Sequence, residues 1–508
     1  MRRSYAIASI LILISFLPLA SLATPAARGV SPADIVQSNP ESYVTFMQKP
    51  IDSSPNPWVL YPTNTIVWVA GLSSGAPPTS QIREYFIENR TSKPVVNLPN
   101  ITVSSLVYSQ GRVWFTDNST LAYYDTQNLS VTKTLTFPNK NLWYLALDHQ
   151  ERIWMTLLES NGTSSVVMFD PTSGLNRTYL VRTSNAFIQG ITIAPNNVVW
   201  FAEAGSMKLG RIACDSCKIE EFPAPPSLNL ASLTQLAVDN SGNVWFTDHA
   251  EDNQFGVFNP QTNSTKAWKT FPIGYCPDAC VSGLPNAIFV GPHNEIWFSE
   301  HIAGRVARYD PGSDVLTEYA VSPTPNAFPL IWWAAPGANN LVWFVANGLG
   351  EVGYVNASLP IPLILMGTSN DVVIQKGFSR NIPLTVNFQG AGTLNFGVSP
   401  LTQDQQSSGS PAQLYGSGPS NIGPNPNPQT ATISVSASWS AISGARYVAL
   451  TATQNNVAVS THIRVVVVDA STPVVALGFS SIIFLGGLTI YLRRPKKPMI
   501  QPVKKTRR

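Results

Sequence analysis

Short runs of alternating apolar and polar residues recur along most of the chain, and one run in each group carries a tryptophan. Seven of these runs read TIVWVAG, GRVWFTD, ERIWMTL, NVVWFAE, GNVWFTD, NEIWFSE and NLVWFVA. Their tryptophans are Trp68, Trp114, Trp154, Trp200, Trp245, Trp297 and Trp343, with spacings of 46, 40, 46, 45, 52 and 46 residues. Alternation with a period of two predicts strands, because successive side chains of a strand point to opposite faces. The tryptophan pattern is therefore a sevenfold repeat of a β-rich unit.

Each repeat also contains an apolar strand before the tryptophan strand and two strands after it, as in GITIAP, GRVARYDP and LTEYAVS. Four short strands in about 40 to 45 residues are typical of a β-propeller blade. We therefore predict an all-β fold with a seven-bladed β-propeller over residues 40–359, in which the Trp-Phe pairs pack between neighbouring blades. Residues 42–48 read as an extra outermost strand. We expect them to complete blade seven, which would join the two ends of the ring and remove an open sheet edge.

The tryptophan period stops after the seventh repeat, but strand patterns continue over residues 360–470. They read DVVIQKG, IPLTVNF, TLNFGVS, ATISVSAS, RYVALTAT and HIRVVVVD. About six short alternating strands predict a β-sandwich module that resembles immunoglobulin-like stalks. Residues 405–428 are rich in Gly, Ser, Pro and Asn, and we expect them to form a loop that does not pack.

Both ends of the chain carry targeting signals. Residues 1–23 combine Arg2 and Arg3 with an apolar stretch and a small-residue cleavage site, which is typical of a secretory signal peptide. Residues 474–492 are uncharged and apolar over the length that a transmembrane helix needs. The basic tail that follows, residues 493–508, would stay in the cytoplasm. We therefore predict a single-pass protein of the cell membrane, with propeller and stalk outside the cell.

Charge and cysteines agree with an extracellular setting. The formal net charge is +3, but without the eight charges of the tail and the two leader arginines residues 4–492 carry −7, which excludes a nucleic-acid partner. Four cysteines form two close pairs in the sequence, and disulfides are the expected state outside the cell, with a zinc site as the alternative and the connectivity open. These are Cys214, Cys217, Cys276 and Cys280.

Glycosylation sequons indicate a glycoprotein if the host has the machinery. They occur at Asn89, Asn100, Asn118, Asn128, Asn161, Asn176, Asn263 and Asn356.

Acidic residues stand three positions after four of the seven repeat tryptophans. They are Asp117, Glu203, Asp248 and Glu300, and the next position adds His249 and His301 in the last two. In propellers these positions lie at one face, so we expect four carboxylates around one mouth of the central channel. Such a set would suit magnesium or calcium or a polar ligand, and a neighbouring imidazole can move protons. The alternative is that these acids only cap turns.

The repeats NVVWFAEAGSMKLGRIA and NEIWFSEHIAGRVARYDP resemble those of the virginiamycin B lyase family over about residues 40–358. The resemblance implies a seven-bladed propeller and, for the family, magnesium-dependent opening of streptogramin B rings by elimination. The family places its histidines in a P-H-[GA]-I entry to the first strand of late blades. Here the corresponding entries are Trp58, Ser104, Trp143, Gln189, Thr234, Asn286 and either Ile331 or Trp332, and none is histidine. Glu300 falls near a family glutamate, and His301 follows it.

Two functions therefore compete. The first is a membrane-anchored, cell-surface propeller that binds an extracellular ligand or partner on an acidic face. Its ligand-binding residues would be Asp117, Gln189, Glu203, Asp248, His249 and Asn286. The second is a metal-dependent lyase or lactonase-like enzyme, with Glu300 and His301 as catalytic residues and Glu300 and Asp248 as metal ligands. A purely structural envelope component is a third reading.

Overall fold

The computed structural model describes residues 43–469 with short gaps. The gaps are residues 51–54, 74–77, 160, 214–217, 251–253, 263–266, 273–282, 322–327, 360–362, 367–370, 389–393, 401–413, 419–421, 426 and 455–456. The predicted signal peptide, membrane span, basic tail and all four cysteines lie outside the described residues.

Seven groups of four antiparallel strands follow the seven tryptophan repeats. Blade one consists of β2 (Asn56–Pro62), β3 (Ile66–Leu72), β4 (Thr79–Phe86) and β5 (Ser92–Pro99). Blade two consists of β6 (Val103–Ser109), β7 (Arg112–Asp117), β8 (Thr120–Asp125) and β9 (Ser130–Thr136). Blade three consists of β10 (Lys140–Leu147), β11 (Ile153–Glu159), β12 (Ser164–Phe169) and β13 (Asn176–Val181). Blade four consists of β14 (Ile188–Ile193), β15 (Val199–Glu203), β16 (Lys208–Ile212) and β17 (Glu220–Pro223). Blade five consists of β18 (Leu233–Val238), β19 (Val244–Asp248), β20 (Gln254–Asn259) and β21 (Ala267–Pro272). Blade six consists of β22 (Pro285–Val290), β23 (Ile296–Glu300), β24 (Arg305–Asp310) and β25 (Val315–Ala320). Blade seven consists of β26 (Ile331–Pro336), β27 (Leu341–Ala346), β28 (Glu351–Asn356) and β1 (Val44–Phe46).

The seven sheets close into a ring. Each innermost strand contacts the innermost strands of the two neighbouring sheets, and β26 of blade seven returns to β2 of blade one. The sheets therefore form a seven-bladed propeller around a central channel, as the tryptophan repeat predicts.

The N-terminal strand completes the last blade. β1 pairs antiparallel with β28, with Val44 opposite Val355 and Phe46 opposite Gly353. Tyr43 and Met47 on either side of β1 are buried. The predicted closure of the ring by residues 42–48 is confirmed.

Large aromatic side chains fill the spaces between blades. Trp114 packs in one cluster with Met155 of blade three, whereas Phe115, the next residue, packs with Trp68 of blade one. Neighbouring residues of a strand point to opposite faces, so each Trp-Phe pair contributes to two interfaces. This confirms the structural role predicted for the repeat motif.

Each innermost strand carries a β-bulge near its beginning. In blade six, Pro285 pairs with Glu300 and Ile288 with Phe298, so Asn286 and Ala287 together oppose Ser299. Register shifts of the same kind occur in the other six blades. A bulge adds one residue to a strand and changes the direction of its side chains. The seven bulges therefore surround the channel at the end where the innermost strands begin.

The chain after the propeller forms one separate sheet and extends the sheet of blade six. The separate sheet contains β29 (Leu363–Met366), β31 (Ser379–Phe388), β34 (Gln429–Ala437) and β33 (Leu414–Ser417), and the extension contains β32 (Asn395–Pro400), β35 (Gly444–Gln454), β36 (Val457–Val468) and β30 (Val372–Gln375). All six predicted strands are present, and β29 and β33 are additional. β33 lies within the predicted loop 405–428, and its Leu414 is buried, so that part of the prediction is wrong.

The second module shares a sheet with the propeller. β36 pairs antiparallel with β25, the outermost strand of blade six, so that Val315 faces Thr461 and Tyr319 faces Val457. Further along the same edge, β36 pairs in parallel with β30, and β35 lies on its other edge. The edge of blade six is therefore covered by the module rather than left open.

In the described part of the chain, residues 43–469 with the gaps given above, no helix is long and apolar enough to cross a membrane. The predicted span at residues 474–492 lies beyond that part.

Candidate functional site

The bulges place the family-like entry residues at one mouth of the channel. They are Trp58, Ser104, Trp143, Gln189, Thr234, Asn286 and Trp332, each lying where the register of its innermost strand shifts. In blade seven Ile331 is paired with Ala346, so Trp332 is the inserted residue.

Hydrogen bonds from one bulge to the next fix the backbone on one side of this mouth. Thr247, which is fully buried at the second strand of blade five, accepts from the backbone N–H of Gln235 at 3.2 Å and donates to the carbonyl of Asn286 at 2.7 Å. The Asn286 amide then donates to the carbonyl of Trp332 at 2.6 Å. Blades five, six and seven are thus linked through two side chains, those of Thr247 and Asn286, and the last link positions Trp332.

Two histidines lie beside Trp332. Strands β19 and β23 end at Asp248 and Glu300, and the next backbone N–H groups, those of His249 and His301, bond to the loops that enter the innermost strands of the same blades. The two imidazole rings stack with centroids 5.7 Å apart. The rings of His249 and His301 also meet the Trp332 ring edge to face, at 5.8 and 4.8 Å.

A second tryptophan completes the cluster. Trp58, the bulge residue of blade one, stacks on Trp332 with ring centroids 4.5 Å apart and an angle of 21° between the planes. All four rings are partly exposed. We call His249, His301, Trp332 and Trp58 the histidine–tryptophan mouth.

The histidines of this mouth are poor proton acceptors. Burial, followed by the nearby charge of His249, lowers the pKa of His301 to about 4, and burial lowers the pKa of His249. His249 donates its Nδ1–H to the carbonyl of Pro285 at 3.2 Å, whereas Nδ1 of His301 is buried without a hydrogen-bond partner. Both rings are therefore neutral at pH 7.

Aromatic side chains also occupy the channel below the mouth. Trp333 of blade seven stacks on Tyr144 of blade three, with centroids 5.6 Å apart and planes 12° from parallel. Trp333 also packs against core clusters of several other blades. Gly190 of blade four approaches so closely that a Cβ atom there would lie 2.5 Å from the carbonyl of Thr234. The mouth is therefore a shallow site above a packed channel.

The four predicted carboxylates do not form an open acidic ring. Asp117 is 8% exposed, and Glu203, Asp248 and Glu300 are fully buried. Asp248 accepts hydrogen bonds from the backbone N–H groups of Ala231 and Ser232, so it caps the loop that leads into β18. The prediction of an exposed acidic face is wrong, because these side chains turn into their own blades.

Two of these carboxylates, Asp117 and Glu300, lie near a basic side chain of their own blade, whereas Glu203 is held by a serine. Asp117 lies 3.8 Å from Lys133. Glu203 accepts from Ser206 at 2.6 Å and lies beside Lys208 and Glu221.

In blade six, Arg305 lies 3.8 Å from Glu300 and 3.6 Å from Glu318. Burial raises the pKa of Glu300 well above its usual value, Glu318 raises it further, and Arg305 lowers it. Glu300 is therefore part of a buried ionic group rather than of a surface site.

The arrangement does not fit a bound magnesium or calcium ion. Hard cations take six or more oxygen ligands, usually with several carboxylates at one point. In the described residues, no three His, Cys, Asp or Glu side chains meet in a way that could hold a metal. Asp248 and Glu300, the predicted metal ligands, end strands of different blades and are engaged within them.

Of the predicted site residues, the structure brings His249, His301 and Asn286 together, and Gln189 occupies a bulge of the same mouth. Sequence reasoning named Trp58 and Trp332 only as replacements for family histidines. Their position as bulge residues is the signal that could have identified them. His149 and His293 lie in turns at the opposite ends of the innermost strands, and His462 lies in β36.

Known structures share this architecture. A streptogramin B lyase matches with a TM-score of 0.51 at 20% identity, covering 63% of this chain and 99% of that one. The propeller has the virginiamycin B lyase fold. The Staphylococcus aureus virginiamycin B lyase matches with a TM-score of 0.50 at 19% identity, covering 62% of this chain and 98% of the lyase. A catalytically inactive form of that lyase with quinupristin matches to the same extent.

At these identities the likeness to virginiamycin B lyases concerns the fold alone. No protein-family model matches the chain, and no curated protein matches it. The shared fold therefore assigns no activity to this propeller.

Proposed function

We propose that the propeller is a ligand-binding domain and that its ligand sits on the histidine–tryptophan mouth. The observation that supports this is the convergence of four partly exposed rings from blades five, six, seven and one. Ligand sites are commonly concave and aromatic, with a few polar groups that fix orientation. The mouth has this composition, and it lies at the one end of the channel where all seven bulges occur.

The chemistry of the mouth favours an uncharged, flat ligand. The tryptophan rings offer large apolar faces for stacking. Both imidazoles are neutral at pH 7, because burial keeps their pKa values low, and the nearby carboxylates are turned into the blades. An aromatic or sugar ring with hydroxyl or amide groups meets these conditions better than an ion does.

The sequence supports display of this domain at the cell surface. Residues 1–23 have the features of a secretory signal, residues 474–492 those of a single membrane span, and the tail beyond is basic. With these segments, propeller and second module stand outside the cell, where the partner is an extracellular small molecule or protein. The second module then acts as the stalk.

A metal-dependent lyase or lactonase-like enzyme is the second candidate, and the shared fold supports it. Elimination requires a base that accepts a proton near neutral pH. A pKa of about 4 makes His301 a weak base, and Glu300 is buried beside Arg305 and Glu318. Binding therefore fits the residues better than catalysis does.

The test is to titrate the full chain with quinupristin and a panel of uncharged aromatic compounds and aryl glycosides, following tryptophan fluorescence. We expect one class to bind, and we expect Trp332→Ala and His301→Ala each to weaken binding by tenfold or more. His293→Ala, on the opposite face, is the matched control and should bind like the wild type. Equal affinity in all variants, or no binding by any compound, would reject the mouth as the site.

The same samples distinguish the two functions. Incubation of quinupristin with magnesium, followed by mass spectrometry, detects ring opening. Turnover that is lost in Glu300→Ala or His301→Ala would favour the lyase over the binding domain.

A further inference from the structure

Five strand ends of the second module meet where the described chain leaves it. β30 and β36 end side by side in parallel, with Gln375 opposite Val468. β31 begins and β34 ends there, with Ser379 opposite Ser436, and β35 begins there with Gly444 opposite Val467. We call this the exit end, because β36 is followed in the sequence by the predicted membrane span, residues 474–492.

The exit end carries exposed apolar side chains. Trp439 is 60% exposed and Ile442 is 51% exposed, and both lie in the turn that crosses from β34 to β35. Phe378, in the turn between β30 and β31, meets Trp439 edge to face at 6.2 Å. We call Phe378, Trp439 and Ile442 the exit collar.

The Trp439 ring is held in this exposed position by close packing. A Cβ atom on Gly377 would lie 2.3 Å from the ring, and Gly377 has a φ of +78°, which side-chain-bearing residues rarely adopt. The glycine therefore lets the ring lie flat on the end of the module. Trp439 is also the only one of the 13 tryptophans that lies outside residues 44–356.

The predicted membrane span begins close to this surface. Only residues 470–473 separate Asp469 from the apolar stretch 474–492. Five residue steps cover at most about 18 Å of extended chain. Asp469 is itself tied to the module through an ion pair with Lys376 at 2.6 Å. A span that starts at residue 474 thus keeps the exit end within reach of the bilayer surface.

The propeller is attached towards the other end of the same strand. β25 pairs with β36 from Val457 to Thr461, and Val468 lies seven residue steps beyond Thr461. At about 3.3 Å per residue this is roughly 23 Å. The sheet shared by propeller and module places the exit collar away from the propeller.

We propose that the exit collar is seated in the headgroup region of the membrane and holds the module upright on it. Tryptophan is enriched at this depth because its ring is apolar and its N–H is polar. This inference rests on the membrane anchor of the proposed function. It adds that the folded module itself contacts lipid, whereas a span alone would tether it through a free linker.

The test uses the full chain reconstituted into phosphatidylcholine vesicles with normal or brominated acyl chains, because bromine quenches tryptophans near the bilayer. The difference in emission between the wild type and Trp439→Phe isolates the signal of Trp439. We expect this difference to fall by half or more in brominated vesicles. The emission difference between the wild type and Trp143→Phe, which lies at the channel mouth, should be the same in normal and brominated vesicles.

Flotation of the vesicles separates the two proposals. Protein that floats with the vesicles but shows an unquenched Trp439 signal would keep the anchor and reject the seated collar. Protein that does not float would reject both.

Discussion

The link from Thr247 to Asn286 yields a quantitative prediction for Thr247→Val. Valine has nearly the shape of threonine but no hydroxyl, so the backbone N–H of Gln235 and the carbonyl of Asn286 both lose their partner in a buried site. A buried polar group without its hydrogen bond costs about 1–3 kcal/mol. Two such groups, with some relaxation, give an expected loss of about 2–4 kcal/mol in the free energy of unfolding.

The matched control is Thr247→Ser, which keeps the hydroxyl and removes one methyl group. Loss of one buried methyl group costs about 0.5–1.5 kcal/mol. Both variants are unfolded in urea and followed by tryptophan fluorescence, with the cysteines in one fixed oxidation state. The difference between their free energies of unfolding then measures the contribution of the hydroxyl group. A valine variant within about 0.5 kcal/mol of the serine variant would refute the reasoning.

The same substitution also tests how the mouth is positioned. Asn286 holds the backbone of Trp332, so a shifted Asn286 should move Trp332 relative to Trp58. The valine variant should therefore bind ligand more weakly than the serine variant. Weaker binding in both to the same degree would mean that the hydroxyl does not support the mouth.

Two further predictions concern ring closure and the buried carboxylates. Deleting residues 24–48 should lower the melting temperature by several degrees, because β1 and the buried Met47 are lost. The control deletion of residues 24–40 should leave the melting temperature unchanged. Equal melting temperatures for the two deletion variants would contradict the closure. Burial raises the pKa of Glu203 to about 7, so the folded state keeps a proton that the unfolded state has released above about pH 4.5. The free energy of unfolding should thus fall as the pH rises from about 4.5 to 7, and Glu203→Gln should lessen this fall. Thermal melts of the wild type and the variant across that pH range test this. If Glu203 is not the group responsible, the melting temperatures of both proteins will change with pH to the same extent.

The number and closure of the blades could be predicted from the sequence because each repeat buries a tryptophan in a strongly alternating strand. The bulges could not be, since an inserted residue leaves the apolar pattern of a strand almost unchanged. Asn286 and Ala287 look like ordinary strand residues until their pairing with Ser299 is known. For this reason the sequence alone does not identify Trp58 and Trp332 as a pair.

The direction of the carboxylates was likewise not readable from spacing. Glu300 ends its strand at the predicted face of the propeller, but its neighbours Arg305 and Glu318 come from the next two strands and draw it into the blade. The prediction therefore located the residue correctly along the chain and mistook the surface that it faces.

The pattern of β36 predicted a strand but not its partner. Leu316 of β25 lies opposite Ser460, 144 residues later, and no local signal specifies such a pairing. The sequence thus indicated two modules and gave no sign that a common sheet joins them.

The pairing of β1 with β28 has a consequence for the order in which contacts form during synthesis. Val44 emerges from the ribosome 311 residues before its partner Val355. At about 5–20 residues per second the wait is about 15–60 s. During that time β1, the first strand of the described residues, lacks its partner β28, and β25 in turn waits for β36. The contacts that finish both the ring and its covered edge are thus among the last that can form, and contacts of such long sequence separation favour slow folding.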